Sequence, residues 1–173
     1  MGEQNTEIRI YVACLAAYNN GRLHGHWIDA VQDADDIRSE ISDMLAASPI
    51  PQAEEWAIHD HEGFEGASIS EYQGLESVAE LAAFIAEHGA LGGKLIDQFG
   101  GDLDEARTAI EDHFAGEYAS LAEFAQELTE QSTTIPKCLD FYIDYERMGR
   151  DMALCDVFAV ETAFNELHIF WSH

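Results

Sequence analysis

Positive charge is what this sequence has least of. Its 173 residues carry eight Lys and Arg against 34 Asp and Glu, a formal net charge of −26. A nucleic-acid binder needs a basic face to neutralise phosphates, so that class is excluded. An anionic membrane surface, which draws basic segments, is disfavoured for the same reason. Long apolar runs are missing too. The longest, Ile10 to Tyr18, is nine residues, about half of a membrane span. The first five residues lack the basic start of a secretory leader. Cysteine is scarce: Cys14, Cys138 and Cys155 are odd in number and lack C-x-x-C spacing, which argues against a disulfide framework or a structural zinc. All three are expected to be reduced and mostly buried, in a cytoplasmic protein.

What is present is acid and apolar residue in proportion. Apolar residues make up 47% of the chain, enough for packed cores. Between Arg38 and Lys94 there are eleven acids and no base, and between Arg107 and Lys137 six more. No block reaches five like charges, so this is not an acidic tail. A solvated surface gains solubility from a moderate charge. At −26, self-repulsion works against folding, which points to a function for the charge itself and to a basic partner.

Residue patterning predicts an α+β chain. Ile8 to Leu15 and Leu23 to Ile28 read as strands, joined by a turn at Tyr18-Asn19-Asn20-Gly21. Asp33 is placed to cap a helix to about Ala47, with Ile37, Ile41, Met44 and Leu45 on one face. Glu55 to Asp60 reads as a third strand. Ser77 to Glu80 and Ser120 to Glu123 fit capping boxes. Gly89, Gly92, Gly93, Gly100 and Gly101 divide the middle into short helices. Ile110 to Ala119 reads as a strand. Pro136 suits the start of a helix carrying Leu139, Phe141, Tyr142, Tyr145 and Met148, whose aromatics read as core or as a dimer seam. Strands near 156–161 and 166–171 close the chain, and Trp27, Trp56 and Trp171 read as core.

Catalytic motifs are weak. Gly89 to Leu95 imitates a phosphate loop, but residue 88 is His and Leu95 replaces the Ser or Thr that holds Mg²⁺. Asp102-Leu103-Asp104 lacks the glycine and glutamate of a calcium loop. His59-Asp60-His61-Glu62 offers metal-ligand types, and on a strand His59 and His61 would share a face, as would His24 and His26. No catalytic residue, metal or cofactor is assigned.

An ordered set of motifs carries more: Tyr18-Asn-Asn-Gly21, Gly25-His-Trp27, Asp60-His-Glu-Gly-Phe64, Phe141-Tyr-Ile-Asp-Tyr-Glu146 and Gly149-Arg-Asp151. In order and spacing it resembles the ArdA family of antirestriction proteins. The resemblance implies a non-enzymatic, dimeric mimic of B-form DNA. Such proteins occupy the DNA groove of type I restriction-modification enzymes, on the methyltransferase core of specificity and modification subunits. They are carried by plasmids and conjugative transposons. It further implies an elongated protomer of three small domains, expected at 1–62, 63–108 and 109–173, joined in the dimer through the last. Phe141, Tyr142 and Tyr145 are its candidate seam.

The carboxylates expected to stand in for phosphates are Asp35, Asp36, Glu40, Asp43, Glu54, Glu62, Glu65, Glu71, Glu76, Glu80, Glu87 and Asp97 in the first part of the chain. They continue with Asp102, Asp104, Glu105, Glu111, Asp112, Glu117, Glu123, Glu127, Glu130, Asp144, Glu146 and Asp151. Duplex DNA carries one charge per about 1.7 Å, so 26 charges match about 44 Å of duplex, and a dimer about 88 Å. The alternatives are an acidic inhibitor of a nucleoid protein or repressor, and a metal-dependent enzyme using His59 to Glu62.

Unpaired like charges repel, so salt that screens them and mild acid that neutralises them should both raise the melting temperature relative to low-salt neutral buffer. Differential scanning calorimetry across salt and pH checks this. A fall in both series would mean that the carboxylates are mostly paired.

Overall fold

A computed structural model of the chain describes residues 7–173. The N-terminal residues on which the expectation of no secretory leader rests lie outside that range. The architecture is α+β: among the described residues there are two three-stranded antiparallel sheets and seven α-helices. The chain forms two compact units, Met1–Gly101 and Asp102–His173.

In the first unit, β1 (Arg9–Cys14) lies between β2 (Gly25–Asp29) and β3 (Trp56–Glu62), antiparallel to both. Ile10 and Val12 point into the core with Ile28 and Ile58, all at most 4% exposed. The opposite face carries Arg9, Tyr11 and Trp27, as two-residue alternation requires. The link from β1 to β2 is longer than a tight hairpin. A one-turn helix, α1 (Leu15–Asn19), intervenes, and Gly21 alone of the turn residues takes positive φ, +73°. Ala17, wholly buried, explains the extra turn: it packs a side chain that an open hairpin loop would expose.

Helix α2 (Ala34–Ala46) starts after Asp33 and buries Ile37, Ile41 and Met44. Full burial of such side chains is worth about 1.5–3 kcal/mol each. Helix α3 (Leu75–His88) starts two residues before the expected Ser77 cap, with Gly74 at its N-cap. The added turn buries Leu75 beside Val78, Leu81 and Ile85. Gly89, at φ +63°, ends it. Gly92 and Gly93 do not break structure, contrary to their sequence reading. They lie inside α4 (Ala90–Gln98), where a Cβ on Gly93 would come 2.5 Å from the Phe64 carbonyl oxygen. They are small because the backbone beneath them is close.

In the second unit, α5 (Leu103–Thr108) continues into a π-turn at Ala109–His113. The strand expected from Ile110 therefore begins later, as β4 (Phe114–Tyr118). Helix α6 (Leu121–Ser132) is capped by the Ser120 hydroxyl, which accepts from the Glu123 N–H at 3.1 Å. The Glu123 carboxylate reaches back to the Ala119 N–H at 2.7 Å, completing the capping box one residue early.

The helix expected after Pro136 is absent. A 3₁₀ turn spans Asp140–Tyr142, and α7 (Tyr145–Cys155) begins at Asp144, whose carboxylate accepts from the Arg147 N–H at 3.0 Å. An aspartate with free amides two and three residues on is a stronger start than a proline. Strands β5 (Val157–Ala163) and β6 (Glu166–Trp171) form a hairpin turned at Asn165, with β6 central in the order β4-β6-β5. Phe124, Val157 and Ile169 form the buried centre of this unit, ringed by Tyr118, Leu121, Leu128, Met152 and Trp171.

Other expectations shift on burial. Cys14 is buried, but Cys138 and Cys155 are exposed. All three tryptophans are half-buried. Phe141 and Tyr142 are 95% and 84% exposed, so they do not belong to the core.

Helices α6 and α7 meet where a Cβ on Gly149 would come 2.8 Å from the Leu121 backbone. Gly149→Ala should therefore destabilise by about 1–3 kcal/mol, although alanine is the better helix former by about 1 kcal/mol. Urea unfolding measures it, and an unchanged midpoint would show that the helices separate at little cost.

Candidate functional site

Every carboxylate of the expected mimic set is exposed except Glu40, which is half-buried. Among the described residues no charged or polar residue is buried. The helices arrange these groups in stripes. Asp36, Glu40 and Asp43 fall at i, i+4 and i+7 along α2, and Glu123, Glu127 and Glu130 repeat that spacing along α6. On α3, Glu76, Glu80 and Glu87 mark the side opposite Val78, Leu81 and Ile85. This follows from the 3.6-residue repeat: apolar positions on one face force the acids onto the other. At 1.5 Å of rise per residue, an i, i+4, i+7 stripe places a charge about every 5 Å of helix axis. One strand of duplex DNA places one about every 3.4 Å.

The α6 stripe keeps its charge. On α6, Gln126 donates to Glu130 at 3.1 Å and Gln131 to Glu127 at 3.0 Å. Neutral amides thus hold the carboxylates without cancelling them. Others serve the fold as well: Asp102 caps α5 by accepting from the Glu105 N–H at 3.1 Å, and Asp144 caps α7. Four members pair with arginine: Glu62 with Arg9, Asp35 and Glu76 with Arg38, and Asp104 with Arg107.

Arg38 matters most among these. It reaches Asp35 at 2.6 Å within α2 and Glu76 at 2.7 Å on α3, joining two acidic helices. Its hydrogen bond and charge hold the Glu76 carboxyl below the usual carboxylate range, and Glu76 raises the Arg38 guanidinium in return. On the β5–β6 hairpin, the Thr162 hydroxyl and then His168 lower Glu166 likewise. Sequence reasoning missed the bridging role of Arg38; its isolation in an acidic stretch was the available signal.

The histidine readings change. Pairing puts Asp60 opposite Tyr11 but Ile58 opposite Val12, so His59 is an extra residue in β3. Such a bulge breaks two-residue alternation. His61, opposite Ile10, shares the face of Ile58 and not that of His59. His24 precedes β2, its Nε2 2.7 Å from the Met44 carbonyl oxygen. With His26 it lines an open groove beside Glu40 and Asp43. Among the described residues, no group of three or more His, Cys, Asp or Glu is arranged to hold a metal ion, and no helix is long and apolar enough to cross a membrane. Phe141 and Tyr142 lie in the exposed turn before α7, whereas Tyr145 is half-buried in its first turn, the hydroxyl without a partner and its pKa raised by desolvation.

Two α+β units, each with its own buried centre and with the acids on their surfaces, define the class: an acidic α+β protein. The comparisons specify it. A family model described as antirestriction protein (ArdA) matches residues 10–166. The chain belongs to the ArdA family of antirestriction proteins, whose members inhibit restriction enzymes. No curated protein matches the chain.

Because the folded pKa of Glu76 is depressed, its ion pair stabilises fully above the unfolded carboxylate's pKa. That contribution is lost as pH falls through the folded value. The melting-temperature gap between the native chain and Glu76→Gln should therefore be largest near neutrality and close below about pH 4. A gap that widens in acid would contradict the sign.

Proposed function

We propose that this protein inhibits type I restriction-modification enzymes by standing in for B-form DNA. A homodimer occupies the DNA groove of the methyltransferase core, against the specificity and modification subunits, and protects incoming mobile DNA carried on a plasmid or conjugative transposon. It acts in the cytoplasm, binds no nucleic acid itself and makes or breaks no bond. Family membership supports the target, and the exposed carboxylate stripes support the mode. Carboxylates replace phosphates, so association draws on released counterions and a steered encounter.

The seam of the dimer is read from the second unit. Two chains of −26 meet most cheaply where charge is lowest, and residues 133–155 hold three bases against four acids. That stretch presents Leu139, Phe141, Tyr142 and Leu154, between 52% and 95% exposed. Apolar side chains this exposed mark contact surfaces.

In a distributed mimic each carboxylate carries a small share, about 0.2–1 kcal/mol for an exposed pair. Glu80→Gln or Glu87→Gln alone should leave inhibition of restriction and methylation nearly unchanged. Neutralising Glu80, Glu87, Glu127 and Glu130 together should weaken it markedly. Affinity of the native chain should fall steeply with salt. Titration into purified enzyme checks all three, with a nucleoid protein as the comparison target. Tighter binding to the latter, or a salt-independent affinity, overturns the reading.

A further inference from the structure

One groove on the first unit is built differently from the helical stripes. It is lined by Tyr18 of α1, by Ile58, His59, Asp60 and His61 of β3, and by Ile69 and Glu71 of the segment that follows. The bulge at His59 creates it, since an extra residue re-aims neighbouring side chains. Asp60, opposite Tyr11, lies on the outer sheet face. The Ile58 N–H donates to the Glu71 carbonyl oxygen at 2.9 Å, which draws the returning chain alongside β3. The Glu71 carboxylate then lies 3.7 Å from His59 Nε2. His59 stands edge-on to Tyr18, ring centres 5.0 Å apart. The Tyr18 ring is thereby propped in place while remaining 53% exposed.

An exposed ring beside two carboxylates suits a cation carried on an apolar stem. The same sheet face already holds one. The Arg9 guanidinium sits 4.5 Å over the Trp27 ring, with its Nε and Nη2 each 2.8 Å from Glu62. Glu62 pairs opposite Arg9 and Asp60 opposite Tyr11, so the groove's acid is the next outward carboxylate on the strand.

We infer that this groove takes an arginine side chain from the DNA-binding surface of the target enzyme, stacked on Tyr18 and paired with Asp60 and Glu71. The inference rests on the proposed function and adds a contact that a phosphate cannot make, because a phosphate has no π face. The site is therefore a local hot spot within an otherwise distributed surface.

Two measurements test it. N-acetyl-arginine amide is titrated into the isotope-labelled full chain and followed by NMR. Saturable shifts should concentrate at Tyr18, residues 58–60 and Glu71. They should persist in Tyr18→Phe and be lost in Tyr18→Leu. Separately, Tyr18→Leu should weaken binding to the enzyme by about two- to thirty-fold, the range of a cation–π contact. The salt dependence should stay unchanged, because no charge is removed. Glu71→Gln, which leaves the ring in place, should weaken the probe as well, and circular dichroism confirms folding of each variant. Shifts spread evenly over the acidic helices, or Tyr18→Leu binding like the native chain, overturn the inference. If the quadruple carboxylate variant loses affinity while Tyr18→Leu does not, the inference fails alone. If the quadruple variant binds normally, the distributed reading fails.

Discussion

Repulsion among carboxylates is the constraint to which the rest of this structure conforms. Neighbouring acids along a helical stripe stand about 5–6 Å apart by helix geometry. That is inside the screening length of about 8 Å at physiological salt. None is buried among the described residues, since desolvation would compound the repulsion. Each helix must therefore divide cleanly, with apolar residues inward and acids in water. In the second unit Phe124, Val157 and Ile169 are buried together in this way.

Stability is recovered where it does not cost charge. Caps at Asp102, Ser120 and Asp144 satisfy helix N-termini, and two of the three use carboxylates. Glutamine, and not lysine, steadies the α6 stripe. Close backbone approach at Gly93 and Gly149 tightens packing without adding surface. Arginine is spent sparingly. Arg38 joins α2 to α3, and Arg9 closes the outer sheet face over Trp27. Under the proposed mimicry of DNA, leaving out internal cations preserves the field that the partner meets.

Much of this was legible in the residues. The α2 face, the Ser120 cap, the closing hairpin at Asn165 and the glycine stops at 89, 100 and 101 follow from local periodicity and turn chemistry. The exposure of the acids followed from their number. Local rules failed where burial outweighed them: α3 began at Leu75 to bury that residue, and α1 formed to bury Ala17. They failed again where two plausible starts competed, and Asp144 prevailed over Pro136.

The charge, the α+β class and, through the ordered motifs, the family are readable from the residues alone. These are sums or short-range patterns, and neither depends on which segments meet. That His59 is a bulge residue, and that its face differs from that of His61, emerges from the folded chain. It alone showed that Phe141 and Tyr142 stand in water, that Arg38 reaches across to Glu76, and that Tyr18, Asp60 and Glu71 edge one groove. Each is a relation between residues distant in sequence or set by strand register, and register is fixed by pairing across the sheet, which no single segment encodes.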